Sequence, residues 1–156
     1  MELKERLDAG IKEAMRAKDA QRLSTLRLIS AAIKDREIAL RGEAGVDARL
    51  SEADLAGLLG RMIRQRQESA RAFEEGGRLE LAEREQAEIG YIQAFLPRQL
   101  DEAEVARAID TAIAGTGASS LRDMGAVMAE LRARHAGQMD FAAVGPMVKS
   151  RLMGGA

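Results

Sequence analysis

Apolar residues recur at helical spacing along almost the whole of this 156-residue chain. The first two stripes repeat at intervals of three, four or seven residues: Leu3, Leu7, Ile11 and Met15, then Leu26, Ile29, Ile33 and Leu40. This spacing places apolar side chains along one face of an α-helix, whereas a half-buried strand needs strict alternation. Only 3% of the residues are aromatic, so the composition gives a sheet little support. The pattern predicts an all-α protein.

Seven helices are predicted from polar capping residues and helix-breaking glycines. The last six begin at or near capping residues or a glycine turn, and five polar residues serve as caps: Asp19, Ser51, Asp101, Ser120 and Asp140. Gly42, Gly76–Gly77, a loop over 115–117 and Gly137 end the helices that precede them. Pro146 lies inside the last helix, where we expect it to kink the helix or delay its start. Four longer helices thus precede three shorter ones.

The chain contains no cysteine, which excludes disulfides, thiolate nucleophiles and cysteine metal sites. No stretch approaches the roughly 18 consecutive apolar residues that a membrane span needs. We therefore expect a cytoplasmic protein in a reducing compartment, without membrane association. The formal net charge is −1, so any binding to nucleic acid would depend on a local cationic patch.

One arginine and one glutamate interrupt apolar helix faces. Arg66 lies on the apolar face of the third helix and Glu85 on that of the fourth. Arg66 precedes Gly76 by ten residues and Glu85 follows it by nine, so an antiparallel hairpin places them opposite each other. Because a half-buried charge needs a partner, we predict an Arg66–Glu85 ion pair. In the alternative, both side chains extend along the edge of the stripe into solvent.

No catalytic, cofactor-binding or metal-binding residues are predicted. His135 is the only histidine, so the chain has neither a histidine pair for a metal nor a Ser-His-Asp signature. The pair Ser119–Ser120 lacks the glycines and lysine that accompany paired serines in amidases, and helix capping explains Ser120. The glycine pairs lack the strand-to-helix setting of a phosphate loop.

Two groups of cations are candidates for contact with a partner. Arg61, Arg64 and Arg71 share an arc of the third helix, where they could meet phosphates or an acidic protein surface. The alternative is a solvated arginine-rich face. The second group lies after residue 120: Arg122, Arg132, Arg134, Lys149 and Arg151. The scarcity of aromatic residues disfavours recognition of single-stranded bases and leaves recognition of an RNA backbone open.

Four ordered stretches of the chain closely resemble YqeY-like proteins. They are KDAQRLSTLRLISAAIKDREIALR (18–41), IRQRQESARAFEEGGRLELAEREQAEI (63–89), FLPRQLDEAEV (95–105) and DMGAVMAELRARHAGQMD (123–140). Together they cover nearly the whole chain. The Gly-Arg turn and the Leu-Pro-x-Gln-Leu linker are part of the likeness.

The resemblance implies a two-part helical fold, with an N-terminal four-helix domain over 1–96 and a three-helix C-terminal domain over 97–156. It also implies that the C-terminal domain is similar to the tail of the GatB subunit of tRNA-dependent amidotransferase, which helps to engage tRNA. The likeness to this tail extends over the DMGAVM block, the turn at Gly137 and the closing VKSRL. By this likeness, the second group of cations lies where contact with RNA is expected. Ala126 stands where relatives usually have lysine, which removes one candidate phosphate contact.

The amide-transfer chemistry of that enzyme belongs to parts that this chain does not resemble, so a carbon–nitrogen ligase label is interpreted as inherited by name. The leading hypothesis is a non-catalytic, tRNA-associated accessory protein. The alternative is a helical protein–protein adaptor that docks through Arg61, Arg64 and Arg71 or through an exposed apolar groove between the two parts of the chain. A free-standing glutamine-dependent amidotransferase is the third hypothesis, and no nucleophile or nucleotide cradle supports it.

Overall fold

A computed structural model describes residues 2–154 of the chain. These residues form seven α-helices and no strand, which confirms the all-α prediction. A short 3-10 turn at Leu121–Asp123 leads directly into the sixth helix. The helices are α1 (Leu3–Arg16), α2 (Ala20–Ala44), α3 (Glu52–Glu75), α4 (Leu79–Gln93), α5 (Glu102–Thr116), α6 (Met124–Arg134) and α7 (Phe141–Leu152).

The chain divides into two compact units, Met1–Pro97 and Arg98–Ala156. The first contains α1 to α4 and the second contains α5 to α7. Each unit has its own cluster of buried apolar side chains. None of the described helices combines the length and the apolar character that crossing a membrane requires.

The core of the first unit lies between α2 and the α3–α4 hairpin. Leu26, Ile29, Leu59 and Ile92 are fully buried there. α1 packs closely on this core because Gly10 has no side chain: a Cβ at that position would lie 3.3 Å from Leu26 Cδ1. The absence of one methyl group thus sets how closely α1 approaches α2.

Polar contacts hold the first turn of α1, which contains Leu3 and Arg6. The Glu52 carboxylate accepts from the Leu3 backbone N–H at 3.3 Å and so satisfies a donor at the start of the helix. The Arg6 guanidinium donates to the carbonyls of Ala94 (2.8 Å) and Phe95 (3.2 Å), just beyond the end of α4. A cation at carbonyls that lack helical partners is favourable there.

The core of the second unit is built by α5, α6 and α7. Ile109, Val127, Leu131 and Val148 are fully buried at its centre. The Leu100 backbone N–H donates to the Gln138 carbonyl at 2.9 Å, so the segment before α5 is fixed to the loop between α6 and α7.

Most helix starts are where their caps predict. Ser51 and Asp101 each form a reciprocal capping box with an acidic residue three positions later. Asp19 and Asp140 accept from backbone N–H groups in the first turns of α2 and α7. Side chains that can accept from those free N–H groups are therefore reliable indicators of a helix start in this chain.

Three predicted boundaries differ from the structure. α2 continues through Gly42, which was predicted to end it, as far as Ala44. α5 continues through Gly115 and Thr116, which were predicted as loop, and ends at Gly117 with a φ of 67°. The Thr116 hydroxyl donates to the Ala112 carbonyl at 2.8 Å, so its polar group is satisfied inside the helix. α7 begins at Phe141, so Pro146 lies in its second turn and does not delay its start.

The direct partner of Arg66 is Glu88 and not the predicted Glu85. Arg66 Nε donates to Glu88 Oε2 at 3.1 Å, and both side chains are largely buried, with 15% and 21% of their surfaces exposed. Arg66 and Glu88 each lie eleven residues from Gly77, whose φ of 74° makes it the centre of the turn. The prediction centred the hairpin on Gly76, which displaced the register toward Glu85. Burial, followed by the nearby charge of Glu88, raises the pKa of Glu85, and Arg66 opposes that rise.

Candidate functional site

The five C-terminal cations come from three elements of the second unit: the 3-10 turn, α6 and α7. Arg122, in the 3-10 turn, and Lys149, in the last turn of α7, are exposed. Arg132 lies near the end of α6, with its guanidinium 5.7 Å from the centroid of the Phe141 ring. At about 1.5 Å per residue, the stretch from Arg122 to Arg132 covers about 15 Å. Arg122 and Arg132 therefore lie near opposite ends of the segment formed by the 3-10 turn and α6.

Two of these cations already have carboxylate partners. Arg134 Nε donates to Glu130 one turn earlier on α6, and Arg151 Nη1 donates to Asp110 on α5. Binding a phosphate with either guanidinium would compete with an existing ion pair. Across residues 2–154, Arg122, Arg132 and Lys149 are the members of the group without a salt bridge.

The N-terminal group of cations lies along α3. Arg61 and Arg71 are exposed, whereas Arg64 is half-buried. Ten residues of helix separate Arg61 from Arg71, which is about 15 Å along the axis. The arc therefore offers two solvent-facing guanidinium groups on one helix face.

A groove lies between α5 and α6 in the second unit. Its volume is about 650 Å³, within the range of sites that hold several side chains or a small ligand. Apolar side chains line its base, with Ala112 and Leu131 buried and Leu100 and Ala108 half-buried. Polar residues from both helices line the rest of it: Glu104, Arg107, Thr111, Glu130, Arg134 and His135.

The Leu-Pro-x-Gln-Leu segment helps to build one end of this groove. Leu100 lines the groove directly and is held by its backbone bond to Gln138. The Gln99 side chain donates to the Gly137 carbonyl, and the Gln138 side chain donates to the Arg98 carbonyl at 3.2 Å. The segment interpreted from sequence as a linker is thus fixed to the α6–α7 loop within the second unit.

His135 takes part in the same network. Its Nδ1 lies 3.0 Å from Gln138 Oε1, and its ring lines the groove. A single glutamine side chain therefore connects the histidine ring to the segment before α5. This contact fixes the orientation of the ring at the groove.

The two glutamates at the groove are neutralised by arginines. Arg98 donates to both oxygens of Glu104, at 2.8 and 2.7 Å. These bonds, with a further one from the Asp101 backbone, lower the pKa of Glu104 from 4.5 to about 2. Glu130 is paired with Arg134. Arg107 forms no salt bridge within residues 2–154, so the groove carries one uncompensated positive charge.

The paired serines are part of a helix entry. The backbone N–H groups of Ser119 and Ser120 donate to the Asp123 carboxylate at 2.9 and 3.1 Å. These bonds lower the pKa of Asp123 and fix the turn that precedes α6. Over the described part of the chain, no three acidic or histidine side chains come together as a metal-binding group.

Sequence reasoning missed Glu104 and Arg107 as groove residues, and it missed Arg98 as the partner of Glu104. The capping pattern indicated Glu104 as a helix-start residue, but it did not indicate the bidentate bond with Arg98. The signal that could have found the site was the Leu-Pro-x-Gln-Leu segment, whose last residue lines the groove.

The helices and the groove define a small all-α protein with an open apolar cleft. A model of the YqeY-like protein family matches residues 4–152, almost the whole chain, so the chain belongs to that family. The match confirms the family predicted from the four sequence stretches.

Curated relatives cover part of the chain. The proteins named "Altered inheritance of mitochondria protein 41, mitochondrial" are 36% identical in Eremothecium gossypii and 37% in Lachancea thermotolerans, each over 90 residues. Each match covers 58% of this chain and 46% of the relative. The protein of that name in Clavispora lusitaniae is 36% identical over 99 residues, which is 62% of this chain and 54% of the relative. The matches therefore span about half the length of these relatives.

These relatives contradict the prediction of a cytoplasmic protein, because each is named as mitochondrial. The prediction rested on the absence of cysteine and of a long apolar run. Neither property distinguishes one reducing compartment from another, and that is why the location was predicted wrongly.

Proposed function

We propose that this chain is a non-catalytic accessory protein whose C-terminal unit binds tRNA through its phosphate backbone. The single observation that carries the proposal is the exposure of Arg122 and Lys149, neither of which forms a salt bridge within residues 2–154. Arg132 adds a third such cation, stacked on Phe141. The likeness of the DMGAVM and VKSRL stretches to the tail of the GatB subunit supports the same partner.

The expected strength of this proposed binding follows from the number of cations without a salt bridge. Three available cations would release about three counterions, so the logarithm of affinity should fall with the logarithm of salt concentration at a slope of about −3. Arg134 and Arg151 would add to that slope only if they left Glu130 and Asp110. We therefore expect weak binding that is steeply dependent on salt.

Filter binding of unfractionated tRNA between about 50 and 200 mM salt tests the proposal. We expect the double variant Arg122→Gln/Lys149→Gln to bind more weakly and to reduce the slope by about two. The matched control, Arg61→Gln/Arg71→Gln, removes two exposed arginines from the first unit and should leave binding unchanged. Absence of binding at the lowest salt, or an equal loss in the control, would reject the proposal.

A second candidate is a protein–protein adaptor that docks through the first unit. The specific observation in its favour is that Leu28 and Ile38 on α2 are 46% and 59% exposed, while Arg61 and Arg71 are exposed on α3. Large apolar side chains in solvent are common singly, but a helix that carries two of them offers area for a partner. A stoichiometric protein partner that co-purifies without RNA, and is lost in the variant Leu28→Ser/Ile38→Ser, would favour this function.

A further inference from the structure

We propose that the groove between α5 and α6 binds a short segment of a partner protein that carries both apolar and acidic side chains. This binding does not require that the chain bind RNA. It concerns a surface other than the exposed cations Arg122 and Lys149, since neither of them lines the groove.

The base of the groove is apolar and therefore favours an apolar side chain of a partner. Leu131 and Ala112 form a buried base, and Leu100 and Ala108 extend it toward solvent. The space beside Gly115, which also lines the groove, is open, since a Cβ built there would meet no atom within 4 Å. A large apolar side chain that enters this space would remove apolar surface of both partners from water.

The charges at the groove favour an acidic occupant. Glu104 and Glu130 cannot serve as free acids for a basic partner, since Arg98 and Arg134 already bind them. Arg107 remains exposed on the α5 wall with no salt bridge in residues 2–154. A carboxylate beside the apolar side chain would neutralise Arg107 and complete the charge balance of the site.

A peptide fits these features better than an RNA does. The residues that line the groove include no Phe, Tyr or Trp on which a base could stack, and the His135 ring is held by its 3.0 Å contact with Gln138. A phosphate backbone offers no apolar group for the buried base around Leu131. An amphipathic helical segment of a protein can present an apolar side chain and a carboxylate one or two helical turns apart.

The test is a selection of random peptides of 15 residues, the length of α5, displayed and captured on the full chain. We expect the captured sequences to be enriched in both large apolar and acidic residues. A selected peptide, labelled with fluorescein, is then titrated against variants of the full chain by fluorescence anisotropy. Thr111→Trp fills the groove from an exposed position, and Arg107→Glu reverses its free charge; each should weaken binding at least about tenfold.

The matched control is Arg122→Glu, which makes the same charge change outside the groove and should leave peptide affinity within about twofold. Helical circular dichroism equal to that of the parent protein establishes that each variant is folded. Captured peptides that are basic, or that bind Thr111→Trp as well as the parent chain, would overturn the proposal, as would a selection without binders. The proposal would also be overturned if the chain bound tRNA and both Arg107→Glu and Thr111→Trp abolished that binding, because the groove would then be an RNA site. Loss of tRNA binding in Arg122→Glu alone concerns only the proposed RNA function.

Discussion

Arg66 illustrates how this protein accommodates a charge at a helix interface. Its guanidinium donates to Glu88 across the hairpin at 3.1 Å and to the Met62 carbonyl on its own helix at 3.2 Å. Both partners are largely shielded from water, so the pair is worth more than an exposed ion pair, although its desolvation offsets part of the gain. Glu85 lies one turn before Glu88 on α4. The charge of Arg66 lowers the pKa of Glu85, but burial has the larger effect and raises it.

We predict that Glu88→Gln lowers the free energy of unfolding by about 1–2 kcal/mol, because Arg66 would lose its carboxylate while remaining largely buried. Glu85→Gln is the matched control. It removes a charge that the fold disfavours, and should change stability little or raise it slightly. Urea unfolding of the three proteins at neutral pH measures the difference. A larger loss in Glu85→Gln would show that Glu85 is the effective partner of Arg66.

At the scale of the helix, two glycines near the end of α5 have different backbone conformations, one helical and one left-handed. Gly115 is helical, and a Cβ there would meet nothing within 4 Å. Gly117 ends the helix in the left-handed region, at a φ of 67°. The same residue type therefore weakens the helix at one position and permits its termination two residues later.

We expect Gly115→Ala to raise the free energy of unfolding by about 0.5–1 kcal/mol, since alanine loses less backbone entropy in a helix. Gly117→Ala should lower it by about 1 kcal/mol, because a side chain is strained at a positive φ. Thermal unfolding followed by circular dichroism compares the two. Equal effects of the same sign would mean that α5 ends before Gly115, as the sequence pattern predicted.

At the scale of the whole molecule, the chain is two helical units, each with its own core. Leu26, Ile29 and Ile92 belong to one buried cluster, and Ile109 and Leu131 belong to the other. The polar contacts described above also lie within single units. This organisation suggests that the units fold independently.

The fragment 1–97 should be helical and should unfold cooperatively by itself, because it keeps its complete buried cluster. The fragment 98–156 should also be helical but less stable, because a domain of that size buries a smaller fraction of its surface. Circular dichroism and urea unfolding of both fragments test this. Two unfolded fragments from a folded parent chain would show that the units are not independent domains.

By itself the sequence determined the all-α class, the number of helices and most of their starts. Those features depend on spacing and capping between residues three or four positions apart, as at Ser51 and Asp101. The four resembling stretches were also sufficient to identify the family.

The tertiary structure alone decided which charges meet. The hairpin turn centres on Gly77 and not on Gly76, and Glu88, not Glu85, is the partner of Arg66. The bonds of Arg151 to Asp110 and of Gln99 to Gly137 each join residues about 40 positions apart. No local pattern encodes such distances, since they depend on how helices pack. For the same reason the groove, with its single uncompensated arginine, could be found only after the helices were in place.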